Sequence, residues 1–159
     1  MAFGRISQAH FQSMFWIDQH LEDGGNSRVF LGRRLIDSMQ VVIKVIPLIN
    51  VTWLSTPEGR QPSEVYAHRL LRNVTGIVNV IDSLFVDDTL ILVMERLSNA
   101  VDLFTYVCEN GFVSEHDAKH IISQVVRTCT EIHGSGLFHL DVKPENLLLD
   151  RSSREVSLA

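Results

Sequence analysis

His139-Leu140-Asp141-Val142-Lys143-Pro144-Glu145-Asn146 lies between a helix-ending glycine pair and the apolar run Leu147-Leu148-Leu149. Three of these residues carry complementary chemistry at close spacing. Asp141 can accept or orient the proton of an attacking hydroxyl. Lys143 can hold a transferring phosphate, and the amide oxygen of Asn146 can ligate magnesium. Phosphoryl transfer from ATP calls for this set, because it depends on positioning and charge neutralisation more than on covalent chemistry. Asp-x-Lys-x-x-Asn alone also occurs in surface turns. His139 ahead, Pro144-Glu145 inside and a strand behind set this one apart.

A second group stands upstream. Val41-Val42-Ile43-Lys44 closes an apolar strand with a cation, where a phosphate could neutralise it. A lone strand lysine more often snorkels to solvent. Glu64 falls near the start of the next helix, a place the macrodipole favours for an acid. Leu21-Glu22-Asp23-Gly24-Gly25-Asn26-Ser27-Arg28-Val29 is a polar, glycine-bearing turn between strands.

Together these segments resemble the protein kinase domain, and within it the PIM family of serine/threonine kinases. The octet at 139–146 is similar to His-Arg-Asp-Leu-Lys-Pro-Glu-Asn, and 41–44 to Val-Ala-Ile-Lys. Met94-Glu95-Arg96 followed by Asp102-Leu103-Phe104 resembles the PIM hinge. Trp53, Pro57-x-Gly59 and Pro62-x-Glu64 resemble the PIM insert before the helix.

The resemblance implies a basophilic serine/threonine kinase using ATP and Mg. Asp141, Lys143 and Asn146 would be catalytic, with Asn146 also a metal ligand. Lys44 would anchor phosphate and pair with Glu64. Leu21, Gly24, Val29, Val42, Met94, Leu148 and Ala159 would surround the nucleotide. Glu95 and Leu97 would offer backbone groups to adenine, and Asp102 would sit by the ribose. Asp102 and Glu145 would read basic residues of a protein substrate.

Several positions depart from the family pattern. Only Gly24 and Val29 match the glycine-rich loop; Glu22 and Ser27 replace its outer glycines, so weaker ATP binding is expected. Val42 replaces a small alanine above the base. Leu97 stands where PIM kinases carry proline, and its N–H can donate. Leu140 replaces the arginine that pairs with a phosphorylated activation loop, so regulation by that route is not expected. The family's Asp-Phe-Gly would begin just after Ala159, so this chain alone is expected to be truncated and weak or inactive. Two other readings remain. One is a pseudokinase or regulatory ATP-site module without catalysis. The other is a metal site on His116 and His120 near Asp117, for which no third ligand is evident.

These residues need a scaffold of two kinds. Phe15–Leu21, Val29–Leu35, Val41–Ile46, Ile77–Phe85 and Leu90–Met94 read as strands. The fold class expected is therefore α+β, kinase-like, with a five-stranded antiparallel sheet and one helix over 63–72, then the start of a helical lobe. Domain boundaries are expected at 1–14 (extension), 15–97 (N-lobe and hinge) and 98–159 (partial C-lobe). Pro47–Gln61 reads as an irregular loop. Pro62 reads as a helix start, with Val65, Leu70 and Leu71 apolar on the helix that follows. Ser114 to Asp117 is a capping box for a helix whose apolar stripe is Ile121, Ile122, Val125, Val126, Cys129 and Ile132. Leu137–Asp150 reads as strand, loop and strand.

The chain has 159 residues, 45% hydrophobic and 21% charged, with net charge −5. That balance shows no basic face for nucleic acid. No stretch is apolar enough to span a bilayer, and the N-terminus lacks a secretory pattern. Two cysteines, Cys108 and Cys129, suggest no disulfide framework. The expected setting is the cytoplasm or nucleus.

Overall fold

A computed structural model describes residues 5–159. Its elements in chain order are β1 (Arg5–Ile6), α1 (Gln8–Met14), β2 (Phe15–Asp23), β3 (Arg28–Arg34), β4 (Gln40–Pro47), β5 (Trp53–Thr56), β6 (Gly59–Pro62), α2 (Ser63–Leu71), β7 (Val80–Val86), β8 (Thr89–Glu95), β9 (Ala100–Asp102), α3 (Leu103–Asn110), α4 (Glu115–Gly134), β10 (Leu147–Asp150) and β11 (Val156–Leu158). They divide into two units: residues up to Arg69 with Asn79–Arg96, and Leu70–Val78 with Leu97–Ala159.

In the first unit β4 sets the architecture. Its side chains alternate across the sheet with period two, so each face receives a different set. Val41, Ile43 and Val45 join Phe11, Phe15, Val86, Ile91 and Val93 in one cluster. The other parity gives Ile46 to a cluster with Phe85, Leu90 and Leu92, against which Trp53, Val65 and Met94 pack. The sheet order is β1-β7-β8-β4-β3-β2. The five expected strands are antiparallel neighbours. A sixth, β1, adds a short parallel edge to β7 that the sequence reading lacked. Behind it α1 is capped by Ser7, which accepts the His10 N–H, and Phe11 stacks on Phe15.

The 47–61 segment is not irregular. After a single helical turn, Leu48–Asn50, it forms the β5–β6 hairpin. Pro57 and Gly59 hid it, because they punctuate a tight turn inside strands of only four residues. Pro62 closes β6, and α2 starts one residue later. Leu70 faces solvent, whereas Leu71 is buried.

In the second unit α4 carries the core. Ser114 accepts the Asp117 N–H, and its hydroxyl donates to the Asp117 carboxylate. Ile121 and Ile132 pack with Leu71, Leu147, Leu149, Val156 and Leu158. The expected apolar stripe is too wide: Ile122 and Val126 are more than half exposed, and buried Thr128 fills the inward position instead. Thr128 donates to the Thr75 carbonyl. At Gly76, with φ +82°, a Cβ would fall 2.4 Å from Thr128 Oγ1, so glycine is required there. The strand expected from Leu137 is absent; 137–143 forms neither helix nor strand. β10 sits between β9 and β11 in a three-stranded antiparallel sheet. Among the described residues no helix is long and apolar enough to cross a membrane.

Candidate active site

The expected site residues fall into two groups, one in each unit. In the first unit, Lys44 Nζ donates to Glu64 Oε1 at 2.6 Å. β4 delivers the lysine on the parity that leaves the Val41–Ile43–Val45 face, and the first turn of α2 delivers the acid. Both side chains are about a third exposed, so the pair adds little to folding, about 1 kcal/mol at most. Its consequence is geometric, because it fixes where an ammonium stands.

Around this pair the register brings other expected residues together. Val29 lies opposite Lys44, and Leu31 opposite Val42. On the other side Val42 lies opposite Met94, and Lys44 opposite Leu92. Glu22 lies opposite Val29, while Leu21 is half exposed on β2. Gly24 sits in the turn joining β2 and β3, where a Cβ would crowd Ser27. Glu95 is held twice by Asn79: its N–H donates to the Asn79 carbonyl, and its carboxylate accepts from the Asn79 backbone and side-chain N–H groups. Sequence reading missed Asn79, whose partner is 16 residues away.

In the second unit, Asp141, Lys143 and Asn146 converge. Lys143 Nζ lies 3.1 Å from the Asp141 carboxylate. Asn146 Nδ2 donates to both the carboxylate and the backbone carbonyl of Asp141. This commits the amide nitrogen and leaves the amide oxygen as the group open to a cation. The single turn Pro144–Asn146 makes this possible, with the Asn146 N–H donating to the Lys143 carbonyl. Beyond β11, the Ala159 N–H donates to the Asn146 carbonyl, fixing the loop from its other side.

The Lys143 hydrogen bond, and then that of Asn146, hold the Asp141 carboxyl below its ordinary value. The carboxylate therefore stays ionised across neutral pH and ready to take a proton in a hydrogen bond. Leu140, just before it, is 91% exposed with φ +62°, a left-handed conformation rare for leucine. Such backbone strain tends to sit where a loop must aim a particular group. His139, at the head of the loop, keeps a buried Nδ1 without a hydrogen-bond partner.

The remaining expected residues are distributed around this loop. Asp102 and Leu148 are register partners in the β9–β10 ladder. Asp102 also caps α3, its carboxylate accepting the Thr105 N–H at 2.8 Å. The Leu97 carbonyl accepts the Ala100 N–H. Glu145 is in the 144–146 turn. A cavity of about 440 Å³ is lined by Ser98, Asn99, Ala100, Val101, Arg151 and Ser152, none of them an expected site residue. The third reading gains no support: His116 Nδ1 lies 3.8 Å from the Asp117 carboxylate, and among the described residues no group of three potential ligands forms.

Comparison with known proteins places the chain among protein kinases. Serine/threonine-protein kinase pim-2 of Danio rerio is 26% identical over 94% of this chain and 52% of its own length. Serine/threonine-protein kinase prk-2 of Caenorhabditis elegans is 27% identical over 88% of the chain and 32% of its own. Wee1-like protein kinase 2-B of Xenopus laevis is 37% identical over 64% of the chain and 19% of its own. The chain thus spans about half or less of these relatives. A family model for the protein kinase domain matches residues 15–159, a span that takes in Lys44, Glu64, Asp141 and Asn146, and this chain belongs to that family.

Proposed function

We propose that this chain supplies the nucleotide-anchoring and catalytic-loop parts of a PIM-like serine/threonine protein kinase. The observation that carries the reading is the Asp141–Lys143–Asn146 cluster. Asp141 orients a serine or threonine hydroxyl and receives its proton. The hydroxyl oxygen bonds to the γ-phosphorus of ATP as the bond to the β-γ bridging oxygen breaks, and ADP leaves. Lys143 exchanges its bond to Asp141 for one to the transferring phosphate. Lys44, steadied by Glu64, holds the α- and β-phosphates. The amide oxygen of Asn146 fits a hard cation, and magnesium bound there would neutralise phosphate charge. The carboxylates of Asp102 and Glu145 would favour substrates with basic residues.

Phosphorylation of a basic peptide by the protein tests this. Asp141→Asn should lower kcat by about 10²–10⁴-fold, the usual worth of a positioned proton acceptor. Phosphate transfer at the same measurable rate by both forms would remove the reading.

A second reading, an ATP-site module without catalysis, is favoured by two cross-strand pairs. Val42 lies opposite Met94, where it would crowd a bound base, and Glu22 lies opposite Val29, where its charge would oppose phosphates. A thermal-shift titration with Mg·ATP separates the readings. A ligand that binds only the folded chain raises Tm, by the equivalent of about 2.7 kcal/mol at a hundredfold excess over Kd. No rise would favour the non-catalytic module.

A further inference from the structure

Fifteen residues that no catalytic role uses, 48–62, join the lysine strand to the glutamate helix. Their contacts run to both. The first N–H of α2, on Ser63, donates to the Thr52 carbonyl at 2.8 Å, so a helix-start donor is satisfied from outside the helix. Trp53 stacks parallel to and offset from Phe85 of β7, with 5.9 Å between centroids and 2° between planes. Arg60 covers its ring at 5.1 Å. Trp53 and Val65 of α2 pack against the same cluster of Ile46, Phe85, Leu90 and Leu92. Gln61, only 4% exposed, donates to both Thr56 and Glu58, which ties the two strands of the hairpin. Glu58 then accepts from Arg69, two turns along α2. The segment also reaches the other way: Asn50 Nδ2 donates to the carbonyl of Asn26 in the β2–β3 turn.

We propose that the β5–β6 hairpin is a built-in strut that holds α2 where Glu64 meets Lys44, making that pair permanent rather than induced. This rests on the reading of Lys44 as a phosphate anchor. Trp53, Gln61 and the Glu58–Arg69 pair are its positioning residues; none touches a reacting atom. The strut grips α2 at its first residue, through Thr52, and again near its end, through Arg69. Rotation of the helix, which would withdraw Glu64, is opposed at both places. Leu140 fits the same logic, since a hydrophobic side chain there cannot pair with a phosphorylated residue. A protein without that charge-based device needs another way to keep α2 in place, and the hairpin supplies one.

Hydrogen exchange and nucleotide affinity test this together. Trp53→Ala should speed exchange of the α2 amides at 63–69 by at least about tenfold while leaving β4 amides protected. Trp53→Phe keeps a ring against Phe85 and should restore protection. Arg69→Gln is the milder second variant, expected to loosen the same amides in a chain that stays folded. Unchanged α2 exchange in both Trp53→Ala and Arg69→Gln would overturn the strut. For Mg·ATP, Arg69→Gln should weaken binding severalfold in the wild-type background and leave it nearly unchanged in the Glu64→Gln background, because residues acting through one pair are not additive. Equal losses in the two backgrounds would show a merely structural role. A wild-type protein that fails to bind Mg·ATP refutes the kinase reading, and the exchange arm still decides whether the hairpin holds the helix.

Discussion

The side-chain amide of Asn146 donates to the carboxylate and to the backbone carbonyl of Asp141, each at 2.8 Å. One side chain thereby sets both the position and the charge of the other. Lys143 and Asn146 lower the Asp141 pKa from its ordinary 3.8. A group whose folded pKa is depressed stabilises the fold above its unfolded pKa, and that contribution is lost as pH falls through the folded value. The window therefore lies on the acid side of 3.8, well below neutral. Asn146→Ala removes one of the two main causes, so the Asp141 titration should move up toward its ordinary value. Carbon NMR of the labelled carboxyl reads this directly, and a titration that stays put would contradict it.

Asp102 carries two roles that substitution can separate. Its carboxylate caps α3 through the Thr105 N–H, and its charge is the feature proposed to attract basic substrates. Asparagine caps as well as aspartate. Asp102→Asn should therefore leave Tm within about 2 °C while reducing preference for arginine-bearing peptides by up to about fivefold. Asp102→Ala should lose the cap as well, at about 1 kcal/mol. Peptide-array rates beside thermal melts would separate the roles, and an unchanged arginine preference in Asp102→Asn would dismiss the substrate role.

What the sequence made legible follows from how local each signal is. The 139–146 loop was readable because its chemistry is contiguous, and the strands around Lys44 because β-branched runs mark them. Glu64 was readable only through family likeness, since its contact with Lys44 crosses 20 residues. The hairpin at 53–62 was hidden by its own turn residues. Helix α1 was hidden because Gln8–Met14 buries only Phe11 fully, with Met14 partly buried against the same cluster. Two such residues in seven are too few to mark a period. The stripe on α4 was overread at Ile122 and Val126, because periodicity shows which residues share a side but not how wide the buried strip is.

Phe11 shows how much such an unmarked anchor can matter. It is 3% exposed, stacks on Phe15 and completes the cluster with Ile43 and Val93. Phe11→Ala should cost about 3–5 kcal/mol, the usual loss for an aromatic removed from a core. An exposed neighbour on the same helix, Gln12, should tolerate alanine within about 0.5 kcal/mol. Denaturant unfolding of the two variants measures the contrast, and similar midpoints would mean that α1 contributes nothing to the first unit.

Arg154 sets local strain against side-chain contacts in the β10–β11 turn. Its φ of +61° belongs to the left-handed region, where any L side chain costs roughly 1–2 kcal/mol. Its side chain offsets that cost by donating to the Tyr106 hydroxyl at 2.7 Å, reaching Asp117 at 3.4 Å and lying over the Tyr106 ring. The backbone conformation is fixed from outside, since the Arg154 carbonyl accepts from Gln124, which also receives the Val156 N–H. Arg154→Ala therefore keeps the strain and loses every side-chain contact, whereas Arg154→Gly loses the contacts and relieves the strain. The glycine variant should be more stable than the alanine variant by about 1 kcal/mol, or roughly 3 °C in Tm. Alanine should also fall below the wild type. Equal melting of the two variants would mean that the turn relaxes out of the left-handed region once the guanidinium is gone, and that the Arg154 contacts, rather than Gln124, hold the backbone there.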